Sequence, residues 1–211
     1  MISTLKGLKG IFVAGTSTGV GKSFLSALII SVTQGTYWKP IQSGIEDQTD
    51  RQWLKELTGL RDDHFLPEAY LLTNPCSPHL SAMIDGQSID LTDMVLPKFD
   101  YSPLVVEGAG GIMVPLNEKD LMLDLMKHLG FPVILVATNQ LGTINHTLLS
   151  LSVLRQAKLE VLGVILNGPS DYDNKSAIEQ FGSVHVIAEI NWLEDMAPMS
   201  LLFYGQKILG C

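Results

Sequence analysis

Residues 11–23 read Ile11-Phe12-Val13-Ala14-Gly15-Thr16-Ser17-Thr18-Gly19-Val20-Gly21-Lys22-Ser23. An apolar run enters a glycine-rich turn, and Lys22-Ser23 opens a segment that is apolar at helical spacing to about Thr33. Strand, glycine turn and helix in that order are the context a phosphate-binding P-loop requires. Glycine lets the backbone fold so that successive N–H groups face phosphate oxygens. The helix N-terminus adds the positive end of its dipole. Lys22 supplies a point charge for the β- and γ-phosphates, and the Ser23 hydroxyl can ligate Mg²⁺. One detail departs from G-x-x-x-x-G-K-[ST]. Thr16 stands where that pattern has its first glycine, and Gly15 lies one residue early. The competing reading is an ordinary glycine-rich turn; the flanking strand and helix weigh against it.

Outward from this loop the chain keeps alternating. Apolar, β-type runs recur at Ile11–Ala14, Tyr37–Ile41, Leu104–Val106, Val133–Ala137, Val161–Leu166 and Val184–Ile187. Most are continuous rather than alternating, which marks parallel strands buried on both faces. Helical patterns lie between them: Ser23 to about Thr33, Thr49–Thr58 with a capping Thr and a terminal Gly59, Leu91–Lys98, Asp120–Leu129, Ile144–Ala157 and Asn174–Phe181. The reading is one α/β domain over residues 1–211, with a doubly wound, mostly parallel sheet of P-loop NTPase architecture. Gly59 to Gln87, with Pro67, Pro75, Pro78 and Gly86, reads as a long surface excursion carrying a short helix around Leu80. The stretch from Trp192 onward has no decisive pattern.

The composition narrows function. Fourteen Lys+Arg against 22 Asp+Glu leave a net charge of −8 over 211 residues, with 46% hydrophobic and 17% charged residues. So few charges among so many apolar residues exclude a disordered chain. An acidic balance argues against nucleic-acid binding, which uses a broad basic face. Two cysteines, Cys76 and Cys211, make no disulfide framework or metal cluster and suit a reducing compartment. There is no leader-like pattern and no membrane span, so the expectation is a cytoplasmic protein without membrane contact. Asn145-His146-Thr147 and Asn174-Lys175-Ser176 read as chance glycosylation matches.

A carboxylate should face the phosphate loop to complete a metal site. Leu104-Val105-Val106-Glu107-Gly108-Ala109-Gly110-Gly111 offers Glu107 at a strand end, followed by small residues that allow close approach to a ligand. A Glu in a buried strand is costly unless it is paired or metal-bound. Lys39 interrupts the apolar run Tyr37-Trp38-Lys39-Pro40-Ile41-Gln42-Ser43-Gly44 and would emerge at the same edge. A snorkelling surface lysine is the bland alternative. The turn made by Pro40 and Gly44, and the Ser43 hydroxyl, favour a place in the crevice.

Together these residues resemble the ATP-dependent dethiobiotin synthase family along the whole chain. Gly15 to Ser23 resembles its phosphate loop, early glycine included. Lys39-Pro40-x-x-Ser43-Gly44 resembles its second motif, and Asp50 its metal carboxylate at a helix start. Ser77-Pro78-His79 is similar to a substrate-side loop, and Val106 to Gly111 is the most distinctive block. Gly142-Thr143-Ile144-Asn145-His146 resembles its G-x-I-N-H segment, and Leu166-Asn167 the strand end that reads the base. The resemblance implies a homodimer that uses ATP and Mg²⁺ to convert 7,8-diaminononanoate and CO₂, through a carbamate and its mixed anhydride with phosphate, into a cyclic urea. It assigns catalytic roles to Lys22, Lys39 and Thr18, and metal ligation to Ser23, Asp50 and Glu107. Nucleotide contacts would come from Gly19, Val20, Gly21, Lys22, Ser23, Phe24, Asp50, Glu107, Gly108, Ala109, Gly110, Asn167, Gly168, Asn191, Trp192 and Leu193. Substrate contacts would come from Ser43, Pro78, Gly142, Thr143, Ile144 and Asn145, the last four across the dimer interface. His79 is a weak candidate beside the substrate; His64, His128 and His185 read as structural.

Two departures stand out. Gly19 occupies a position where many members carry an acidic residue, and Asn191 replaces a proline in Glu189-Ile190-Asn191-Trp192-Leu193. A different class shares the fold, the nucleotide-switched partition ATPases that bind protein partners. Their mark is an additional Lys early in the phosphate loop, and Thr16-Ser17-Thr18 has none.

Overall fold

A computed structural model describes residues 1–45, 48–191 and 197–210. The six strands of the main sheet are β1 (Gly10–Gly15), β2 (Thr36–Trp38), β5 (Leu104–Glu107), β6 (Val133–Thr138), β7 (Val161–Asn167) and β8 (Val186–Ile190), in the order β2-β5-β1-β6-β7-β8. Every pairing in it is parallel. The chain runs from β1 out to the edge strand β2, returns to insert β5 between them, and then steps past β1 to β6. The winding direction therefore reverses beside β1, where open α/β sheets place their ligand crevice.

The side-chain period of two explains the continuous apolar runs. Phe12, Ala14, Leu104, Val106, Val133 and Leu135 enter one core layer. Their neighbours Ile11, Val13, Val105, Ile134 and Val136 enter the other. Both layers are sealed by helices. α2 (Lys22–Thr33) lies on the second with α1 (Ile2–Lys6) and α8 (Pro198–Leu209), whereas α5 (Met122–Leu129), α6 (Thr143–Gln156) and α7 (Tyr172–Gly182) cover the first. The C-terminal region without a clear pattern is thus a helix from Pro198. It packs closely on α2, because a Cβ on Gly205 would sit 2.5 Å from Val32 Cγ1.

Three expectations change. The run Tyr37–Ile41 is not one strand. Pro40 has no N–H to give a ladder, and the chain bends there into β3 (Ile41–Ser43), which pairs with β4 (Tyr70–Leu72) as a separate two-stranded parallel sheet. The excursion after Gly59 is accordingly more ordered than expected, holding β4 and the short helix α4 (Pro78–Ile84) around Leu80. The helix expected over Leu91–Lys98 is only a single 3₁₀ turn, Leu91–Asp93. Pro97 bars the residue before it from helical backbone, and the Asp90 side chain accepts from Thr92 N–H at 2.8 Å in a competing local turn. The helix α3 (Asp50–Thr58) follows its sequence signals. Thr49 caps it with Gln52 in a reciprocal capping box, and Gly59 ends it in left-handed backbone.

Candidate active site

A crevice of about 690 Å³ opens above the carboxyl ends of β1, β2 and β5. The phosphate loop, Lys39, Gln42 and Ser43 of β3, Asp50 and Trp53 of α3, Pro75 to Pro78, and Glu107, Ala109 and Gly110 line it, whereas Gly108 is buried and does not. Nine of the expected nucleotide residues, including Gly19, Gly21, Phe24 and Gly110, and two of the six expected substrate residues, Ser43 and Pro78, face this one space, as does Thr18. Val20 is buried under the loop.

The loop's geometry accounts for its unusual glycine. A Cβ on Gly15 would lie 2.9 Å from both Ser17 O and Val20 Cγ2 and 3.0 Å from Lys22 Cδ. The loop folds directly over that position, so glycine is needed there, while Thr16 is free of the constraint. Gly21 has φ +98°, and a Cβ on it would be 2.2 Å from Asn167 Nδ2. The Asn167 amide instead donates to Val20 O at 3.1 Å, tying the end of β7 to the phosphate loop, and its own oxygen has no partner among the described residues. Lys22 curls back to donate to Ser17 O at 3.0 Å. Burial lowers its pKa to about 8, with Lys39 adding to that fall and Glu107 and Asp50 opposing it.

Opposite the loop, three oxygen donors meet. Ser23 Oγ, in the first turn of α2, lies 2.8 Å from Asp50 Oδ1 and 2.7 Å from Glu107 Oε1. The bend at Pro40 aims Lys39 at the same point, where its ammonium pairs with Asp50 and lies 3.3 Å from Glu107 Oε1. Lys39 and Glu107 are both buried, at 8% and 1% exposure. Burial pulls the Lys39 pKa down, but the two carboxylates outweigh it and the net direction is up. For Asp50, burial pushes up and the Lys39 ammonium more than reverses it, leaving its pKa below the ordinary value. An ammonium held between two carboxylates marks a position built for a cation. A hydroxyl and two carboxylates are hard donors of the kind Mg²⁺ takes alongside phosphate oxygens and water. Among the described residues no group of three or more His, Cys, Asp or Glu could cage a metal alone. The donor set therefore fits Mg²⁺ held jointly with a nucleotide.

Sequence reasoning passed over two residues here. Gln42 accepts from Asp50 N–H at 3.3 Å and donates to Gly44 O at 3.0 Å. Tyr37 donates from its hydroxyl to Glu107 Oε2 at 2.9 Å. Tyr37 is fully buried, and burial followed by the Glu107 charge raises its pKa well above the ordinary phenol value, so it stays a donor. Both sit in the run around Lys39, where their polar groups were the available signal.

Other expected residues fall elsewhere. Gly142 to Asn145 form the N-terminus of α6 and do not line this crevice. Thr143 is buried there, its N–H already donated to Gln140 O at 2.9 Å. Gly168 gives its N–H to Ile190 O at 2.8 Å, and Asn191 is exposed beyond β8. Glu189 joins these strand ends by accepting from Asn139 Nδ2 at 3.2 Å and Asp171 N–H at 3.0 Å. Trp192 and Leu193 lie outside the described residues. His79 lines a different cleft, beside Asp90 and Asn117.

A family model described as an AAA domain matches residues 9–200. The ATP-dependent dethiobiotin synthetase BioD of Paramagnetospirillum magneticum is 48% identical over 183 residues, covering 87% of this chain and 88% of that one. That of Rhodopseudomonas palustris is 48% identical over 193 residues, covering 92% and 90%. The biotin biosynthesis bifunctional protein BioCD of Bordetella avium is 48% identical over 201 residues, covering 95% of this chain but only 43% of that protein. Solved structures share the fold at low identity. A putative plasmid partition protein of Borrelia burgdorferi bound to AMPPNP has a TM-score of 0.58 at 15% identity over 96% of both chains. MinD of Aquifex aeolicus has 0.56 at 12% over 97% of this chain and 98% of that one.

Proposed function

The chain belongs to the ATP-dependent dethiobiotin synthetase family, and from that premise we propose how its crevice closes the ureido ring of dethiobiotin. The enzyme is an ATP-dependent ligase of biotin biosynthesis. In the proposed reaction one amine of 7,8-diaminononanoate adds to CO₂ as a carbamate. A carbamate oxygen then attacks the γ-phosphorus of ATP, displacing ADP and forming a carbamic–phosphoric anhydride. The second amine attacks the carbonyl carbon, loses a proton and expels phosphate, leaving the cyclic urea.

The observation that carries this reading is the position of Lys39. A switch ATPase needs a phosphate loop and metal carboxylates, and a ligase also needs a cation beside the acceptor. Lys39 stands between Asp50 and Glu107 on the wall of the crevice that Ser43 also lines. It would neutralise the carbamate and the charge that develops on the transferring phosphoryl group. Lys22, the loop N–H groups and the Thr18 hydroxyl would hold the β- and γ-phosphates, and Asn167, its oxygen without a partner among the described residues, would face the base. Ser23, Asp50 and Glu107 would hold Mg²⁺, which neutralises phosphate charge when bound. Ser43 Oγ is buried and has no hydrogen-bond partner among the described residues, so it is left to the diamine. The α6 N-terminus, away from its own crevice, leaves the N–H groups of Ile144 and Asn145 to receive a substrate carboxylate in the crevice of a second copy. A cytoplasmic homodimer acting on small molecules fits this arrangement, and no described helix is long and apolar enough to cross a membrane.

The test is direct. Purified protein with ATP, Mg²⁺, bicarbonate and 7,8-diaminononanoate should release phosphate and yield a cyclic urea by mass spectrometry. A folded, ATP-binding protein that forms none would sink the assignment.

A further inference from the structure

The three oxygen donors at the cation position are braced by different devices. Ser23 is fixed by its place in the first turn of α2. Asp50 is fixed by the Thr49–Gln52 capping box and by its own N–H bond to Gln42 Oε1. Glu107 is the last residue of β5, and no such local device fixes the rotation of its carboxylate. Its brace comes from the neighbouring strand. β2 pairs with β5 in the register Tyr37↔Val105 and Trp38↔Val106, which brings the Tyr37 ring alongside the end of β5.

Tyr37 donates to Oε2 at 2.9 Å, while Oε1 faces Ser23 at 2.7 Å and Lys39 at 3.3 Å. Oε2 has no other partner among the described residues. One oxygen is thus engaged in the core and the other is presented to the crevice. We propose that Tyr37 is a positioning residue whose hydroxyl pins Glu107 in the rotation that turns Oε1 toward the metal–nucleotide position. The inference rests on the metal and nucleotide placement above and not on ring closure. Residues that hydrogen-bond a metal ligand from behind set its orientation and basicity, and losing one costs about 10- to 100-fold in metal affinity.

Tyr37→Phe keeps the ring and its edge contact with Phe65 and removes only the donor. The experiment is titration calorimetry of ADP, with Mg²⁺ and with EDTA, on the wild type, Tyr37→Phe, Glu107→Gln and the double variant. Tyr37→Phe should weaken ADP binding in Mg²⁺ by about tenfold and leave binding in EDTA within about twofold. In the Glu107→Gln background the same change should add no further loss in Mg²⁺. Equal losses in Mg²⁺ and EDTA, no loss in either, or an undiminished effect in the Glu107→Gln background would each overturn the proposal. If Tyr37→Phe alone does not fold and the double variant does, the phenol serves the buried carboxylate, as proposed. If neither folds, the position is structural and the proposal falls. Wild-type protein that couples ADP to Mg²⁺ yet makes no cyclic urea would sink the ligase reading and leave this inference standing.

Discussion

Replacing Lys39 by Met removes the charge and keeps most of the apolar stem, and its consequences separate two roles. In the free protein the ammonium lies 3.3 Å from Glu107 Oε1, and both groups are buried. At an effective dielectric of about 20, Coulomb's law gives that contact about 5 kcal/mol before desolvation is counted. The Asp50 contact adds less, because the Asp50 side chain is 26% exposed. Removing one partner of a buried pair leaves the other charge uncompensated, at about 3–5 kcal/mol. The urea midpoint of the ligand-free protein should therefore fall by about 1 to 2 M. Millimolar MgCl₂ should restore part of that loss in the variant and do less for the wild type, where Lys39 already sits between the carboxylates. In the coupled assay, turnover should fall at least about 100-fold, with ADP affinity within about threefold of wild type. An unchanged urea midpoint would mean that the ion-pair cluster does not stabilise the free enzyme. An ADP affinity that falls as far as turnover would make Lys39 a nucleotide anchor and refute its assignment to the carbamate.

Lys22 has a pKa near 8 in the free protein, against 10.5 ordinarily. The unfolded chain binds that proton more tightly, so this group's contribution to stability rises as pH climbs from about 8 toward 10.5. Phosphate should draw the pKa back up. ADP binding at pH 8.5 should then take up more than about half a proton, read from calorimetry in buffers of different ionisation heat, and almost none at pH 6.5; zero uptake at pH 8.5 would count against the buried, depressed lysine. Ser43→Ala should leave the melting temperature nearly unchanged, since its buried hydroxyl has no partner among the described residues. It should raise the KM for the diamine about tenfold with ADP affinity unaltered; a lost ADP affinity would move Ser43 to the nucleotide side. Gly21→Ala combines φ +98° with a 2.2 Å approach to Asn167 Nδ2, whereas Gly19→Ala at φ +74° meets nothing within 4 Å among the described residues. The first should lower ADP affinity more than tenfold and the second cost only about 1–2 kcal/mol of stability, and equal losses in the two would contradict the packing of Asn167 on the loop.

Much of the molecule was legible residue by residue. The runs at Ile11, Leu104, Val133 and Val161 became central strands because their patterns demanded burial on both faces. Thr49 and Gly59 bounded α3 because capping is a local interaction. Failures came where distant segments decided. Tyr37–Ile41 reads as one strand until Pro40 meets Ala69 and Tyr70, whose N–H groups donate to its carbonyl at 2.8 and 2.9 Å. Leu91–Lys98 has helical spacing, but Pro97 and the Asp90 turn override it. α8 lacked a clear pattern because its fit depends on the close contact between Gly205 and Val32.

The amino-acid sequence by itself determined the phosphate loop, the parallel α/β class and which residues could carry charge into a crevice. These follow from glycine's conformational freedom, the side-chain period of strands and the cost of burying an acid or lysine among apolar neighbours. Only the tertiary structure decided how those residues meet. The insertion of β5 between β2 and β1 sets Tyr37 behind Glu107, and the bend at Pro40 turns Lys39 onto Asp50 and Glu107. The start of α6 is carried away from its own crevice. Such relations depend on strand order and register, which arise from contacts between segments far apart in the chain and leave no local pattern to read.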